Sequence, residues 1–149
     1  MHTTQKRHEN IVTLCQSVSL PADMIARQCQ ALLHTPDNAF NAEQLNDIDI
    51  MSKNALQLAS KVAAVNAANE AETYQGMSAE EFTHFSYMLL HDLRSSAGLI
   101  FGFSEISLLG ITGKLTEEQK VIMKDIHELS LIMLAAFADY QAASERLNQ

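Results

Sequence analysis

Apolar positions recur along the chain at alternating steps of three and four residues. The most regular run is Ile48, Met51, Ala55, Leu58, Val62 and Val65. The last segment keeps the same rhythm through Ile122, Ile126, Leu129, Met133, Ala136, Tyr140 and Ala143, with Ile132 and Phe137 widening the stripe. A third run is Phe82, Phe85, Leu89, Leu93, Ser96, Ile100 and Phe103, and a less regular first one holds Ile11, Leu14, Val18, Met24, Ile25 and Leu32. Such spacing puts the apolar side chains of a helix on one stripe, as in coiled coils and helix bundles. A stripe wider than a two-position seam suits a bundle.

Helix breakers cluster at Thr35-Pro36-Asp37-Asn38, Tyr74-Gln75-Gly76-Met77 and Gly110-Ile111-Thr112-Gly113. They divide the chain into four long segments. After each break the sequence fits a capping box, in which a short polar side chain covers free N–H groups and a residue three later reaches back. These are Asn41 to Gln44, Ser78 to Glu81 and Thr116 to Gln119. The pattern predicts helices over 8–34, 41–71, 78–109 and 115–147. Short connections make neighbouring helices antiparallel, so the expected fold is an all-α, up-down four-helix bundle in one domain over 1–149. Pro21 removes a backbone donor inside the first helix and should kink it.

The two halves also align on each other without a gap. At an offset of 75 residues, Glu43-Gln44 falls on Glu118-Gln119, Ile25 on Ile100, Leu33 on Leu108, Ala67-Ala68 on Ala142-Ala143 and Glu70 on Glu145. The loop at Pro36 falls on the loop at Ile111, and two capping boxes coincide. This predicts a duplicated helical hairpin, 8–71 and 78–147, with pseudo-two-fold symmetry.

Composition narrows the function classes. The 149 residues are 47 % hydrophobic and 19 % charged, which excludes wholesale disorder. With 5 Gly and 2 Pro there are too few turn residues for a many-stranded sandwich or barrel. A formal charge of −8 without a basic block argues against nucleic acid, whose phosphates need clustered Lys and Arg. No apolar run reaches the ~18–20 residues that span a bilayer, so no membrane insertion is expected. The N-terminal residues do not resemble a signal peptide. Cys15 and Cys29 on one helix would lie about 21 Å apart at 1.5 Å per residue, too far to bond. These features predict a cytoplasmic protein with reduced thiols.

One segment carries candidate chemistry. His91-Asp92-Leu93-Arg94 and, one helical stretch later, Gly102-Phe103-Ser104-Glu105 stand in a single predicted helix, and Leu115-Thr116-Glu117-Glu118-Gln119 begins the next. This segment resembles the H-box of histidine-kinase dimerisation and histidine-phosphotransfer domains. The resemblance covers residues 82 to about 145. Ser95, Ser96 and Ala97 replace the usual Thr, Pro and Leu of that motif. Pro21 lies 75 residues before Ser96, so the first half carries the proline and the second the histidine. Gln16 stands where His91 stands in the other half. The family domain is normally a dimer of hairpins, and here one chain carries two, with 71–77 as the linker. That implies a single-chain pseudo-dimer with one reactive site; a further homodimer is left open.

The resemblance implies a two-component signalling protein. His91 would exchange a phosphoryl group with a response-regulator receiver domain, as a neutral exposed imidazole can, since imidazoles titrate near neutrality. It implies that Asp92 accepts a hydrogen bond from the ring and raises its nucleophilicity. Helical spacing places Tyr87, Arg94, Ser95 and Gly98 beside His91 as a docking surface. No Gly-x-Gly-x-x-Gly or Walker sequence occurs in these residues, so an autonomous ATP-dependent kinase is not expected. No cofactor is expected either. A di-iron bundle needs Glu-x-x-His on two helices. Glu81 and His84 form one such pair, but His127 has Lys124 three residues before it, so no metal is expected. The alternative function is a non-catalytic bundle that binds and regulates a histidine kinase or response regulator.

Overall fold

In the computed structural model, which describes residues 2–36 and 39–147, the chain forms four helices. They are α1 (His2–Leu33), α2 (Ala42–Glu70), α3 (Ala79–Leu108) and α4 (Glu117–Leu147), with no strand among the described residues. Asp37 and Asn38 of the first expected loop lie outside the described residues. All three capping boxes form. Asn41 Oδ1 accepts from Gln44 N at 2.8 Å, and Gln44 Oε1 accepts from Asn41 N at 2.9 Å. The same exchange joins Ser78 to Glu81 and Thr116 to Gln119.

One expectation for α1 is corrected. The helix begins six residues earlier than position 8, because its polar first turns are held from outside. Arg7 donates to the Met77 carbonyl at 2.9 Å and lies over the Phe82 ring, and the His8 carbonyl accepts from Asn69 Nδ2 at 3.2 Å. Pro21 does not break the helix, which runs through it to Leu33 with the proline ring buried. Only the Ser17 carbonyl loses its donor, and the neighbouring bonds carry the helix past it.

The helices form a ring in which α1 packs on α2 and α4, and α3 packs on the same two. Cross-contacts run in opposite senses along three of the four neighbouring pairs, which fixes the sense of the fourth. Asn69 Nδ2 meets the His8 carbonyl and Cys15 the Val62 carbonyl, Gln28 meets Asp125 and Gln119 meets Thr35, and Ser86 meets Tyr140 where Phe101 meets His127. Neighbours are therefore antiparallel, and the core lies on the central axis.

The burial pattern repeats at the 75-residue offset. Val18 matches Leu93, Ala22 matches Ala97, Ile25 matches Ile100 and Cys29 matches Ser104, all buried. Met51 matches Ile126, Leu58 matches Met133 and Val62 matches Phe137. The two capping glutamines also act reciprocally. Gln44 Nε2 donates to the Lys114 carbonyl in the α3–α4 loop, and Gln119 Nε2 donates to Thr35 Oγ1 in the α1–α2 loop, both at 3.3 Å. Each buried amide caps its own helix with its oxygen and ties down the other hairpin with its nitrogen. Gly113 makes room for this, since a Cβ there would come within 2.5 Å of Gln44 Nε2. Replacing Gln119 with Ala leaves the Thr116 N–H and the Thr35 hydroxyl without this partner. It is expected to cost about 1–2 kcal/mol in urea unfolding. Gln44→Ala should cost a similar amount.

Candidate functional site

The Ser78–Glu81 cap fixes the start of α3 and with it the helix register. Leu89, Leu90, Leu93, Ala97 and Ile100 then face the core, and His91, Asp92, Arg94, Ser95 and Gly98 come outward. The His91 ring is exposed and has no hydrogen-bond partner among the described residues. Gln16, its counterpart in α1, is exposed as well.

His91 stands on a ridge. On one side Asp92 and Ser95 line a groove between α2 and α3. On the other, Tyr87 and Arg94 line a cavity against α4. The expected residues thus share one helix face but open onto two different concavities. Tyr87 is 67 % exposed, which leaves its ring free for contact. Gly98 lies two turns beyond His91, and a Cβ there would meet nothing within 4 Å. A helical glycine without a packing reason costs about 1 kcal/mol relative to alanine and leaves the surface bare. His84, two turns before His91, is also exposed.

The structure gives Asp92 a partner that the sequence did not indicate. Its Oδ2 lies 2.6 Å from Lys61 Nζ on α2. The Lys61 hydrogen bond and charge, with a smaller contribution from His91, hold the carboxyl below the usual aspartate range. Ser95 Oγ donates back to the His91 carbonyl at 3.0 Å, and Arg94 donates to Gln141 on α4. At the equivalent place between α4 and α1, Ala136 and Ser17 replace Lys61 and Asp92, so the ion pair belongs only to the half that carries His91.

A depressed folded pKa means that Asp92 contributes to stability above its unfolded pKa, and the contribution disappears as pH falls through the folded value. Both partners are about half exposed, so the effect on stability is small. The local effect is measurable. Lys61→Met is expected to move the NMR titration midpoint of Asp92 upward, toward the ordinary aspartate value. An unchanged midpoint would show that Lys61 does not hold the carboxylate in solution.

Burial pushes the Cys15 thiol up to about 11 and the Cys29 thiol up to about 12, and the two remain unbonded. Thiols so protonated are poor nucleophiles. Among the described residues, no helix is long and apolar enough to cross a membrane. In comparisons with known proteins, no family profile, curated protein or solved structure matches the chain.

Proposed function

We propose that this bundle is a histidine phosphotransfer module that exchanges a phosphoryl group between His91 and the aspartyl phosphate of a response-regulator receiver domain. One observation carries the reading. An imidazole with no internal partner stands exposed on a well-capped helix, beside the bare surface at Gly98. In the transfer, a ring nitrogen forms a bond to phosphorus and the bond to the aspartyl oxygen breaks. The electron pair leaves with the carboxylate, and the reverse step returns the group. Tyr87, Arg94 and Ser95 form the surrounding docking surface. Two protonated, buried thiols suit a reducing, cytoplasmic setting.

A second reading has its own support. Lys61 occupies the carboxylate of Asp92, and the Ser95 hydroxyl folds back on its helix, so neither is turned toward an incoming group. This favours a non-catalytic bundle that binds a receiver domain or a histidine kinase through the same face. Incubation with a phosphorylated receiver domain separates the two. The transfer reading expects label on the chain that is acid-labile and base-stable. Complex formation without label from any competent donor would replace it with the binding reading.

A further inference from the structure

A cavity of about 160 Å³ opens between the start of α3 and the end of α4, closed on one side by Arg7 of α1. Its walls combine apolar and cationic groups. Phe82 and Leu90 supply the apolar surface, and Arg7 and Arg94 supply two guanidinium groups.

Arg7 is the unusual member. It is only 9 % exposed, yet it takes part in no ion pair among the described residues. Its Nη1 donates to the Met77 carbonyl, and its guanidinium lies 4.6 Å from the centroid of the Phe82 ring. A buried cation without a counter-charge is costly, and a guanidinium carries five donors in a planar fork suited to a carboxylate. The Ser144 hydroxyl also lines the cavity, close to the Tyr140 hydroxyl. The one carboxylate in the wall, on Glu145, accepts instead from Gln141 Nε2 at 3.1 Å.

We propose that this cavity binds a small organic acid: a carboxylate that meets Arg7, joined to an apolar body that lies against Phe82 and Leu90. A dry cavity of about 150 Å³ is enough for a benzene ring, so the size admits a benzoate-like or short aliphatic acid and excludes a nucleotide. The carboxylate supplies the counter-charge that Arg7 lacks, and Arg94 adds a second cation at the mouth. The cavity shares Tyr87 and Arg94 with the docking surface proposed around His91, but binding of the acid needs no phosphoryl transfer there.

The test is a heteronuclear NMR titration of the full chain with benzoate, benzamide and inorganic phosphate. Benzoate is expected to bind saturably below about 10 mM, with the shifts centred on Phe82, Leu90 and Ser144. Benzamide, which has the same shape without the charge, should bind at least about tenfold more weakly. Inorganic phosphate, which has no apolar body, should also bind more weakly. Arg7→Met is expected to weaken benzoate at least about tenfold. If that variant fails to fold, Ser144→Leu, which fills the cavity and leaves Arg7 in place, should abolish binding. The proposal is overturned if benzoate gives no saturable shift or if the shifts map elsewhere. Equal binding of benzamide or phosphate, or undiminished binding by Ser144→Leu, would overturn it as well.

Discussion

Replacing Phe137 with alanine is expected to destabilise the bundle by about 3–5 kcal/mol, the largest single effect on folding that we predict. Phe137 is fully buried on α4, at the position that Val62 occupies in the other half. Removing its ring takes away both the transfer free energy of that apolar surface and its contacts, and rigid helices cannot close the space. A domain of this size is stable by only about 5–15 kcal/mol, so the loss is a large share of the whole. The urea midpoint should fall while the slope of the transition stays the same, because the surface exposed on unfolding hardly changes. Val121→Ala on the same helix provides the control. Val121 is 69 % exposed, and its replacement should change stability by less than about 0.5 kcal/mol. Similar losses in the two variants would mean that Phe137 is not at the centre of the packing.

The same helix shows which parts of the fold could be read from the chain. In α2 every member of the apolar run, from Ile48 to Val65, is buried as expected. In α4 the buried stripe is centred on Met123, Ile126, Ser130, Met133, Phe137 and Tyr140. Ile132, expected to widen the stripe, is 53 % exposed instead. Serine hid the true centre. Ser130 is buried because its hydroxyl satisfies itself on the His127 carbonyl at 2.6 Å, and a reading based on hydrophobicity passes over such a residue. Ser86 and Ser104 did the same in α3, where they share the buried face with Leu90 and Ala97. Met24, counted in the α1 run, lies at the surface. The start of α1 was unreadable for another reason, since it depends on Arg7 reaching a carbonyl 70 residues away.

The site follows the same division. Residues that share a face through helical spacing could be placed from sequence, and His91, Ser95 and Gly98 are all exposed on α3. Contacts between helices could not. Lys61 and Asp92 are 31 residues apart on different helices, and no local pattern pairs them. The 75-residue offset came closest to revealing long-range structure. It places both capping glutamines in the reciprocal positions that join the hairpins.

His91→Ala is expected to abolish labelling by a phosphorylated receiver domain while leaving the bundle folded. The ring is exposed and without a partner, so its loss opens no cavity and strands no buried polar group. Stability should therefore change by no more than about 0.5 kcal/mol, and the helical circular dichroism signal should be kept. The expected loss of label is complete because no other side chain on this face offers an unengaged imidazole within one turn. Asp92→Asn gives a graded outcome. A carboxylate acting directly on the ring as a general base would be worth about 10²–10⁴-fold. The Asp92 carboxylate is held by Lys61, so the expected slowing is less than about tenfold. Lys61→Met should then make transfer more sensitive to Asp92→Asn, because it frees the carboxylate to turn toward His91. Label retained in His91→Ala would move the acceptor to another residue. A slowing of 10³-fold or more in Asp92→Asn alone would mean that the carboxylate leaves Lys61 and acts on the ring during transfer.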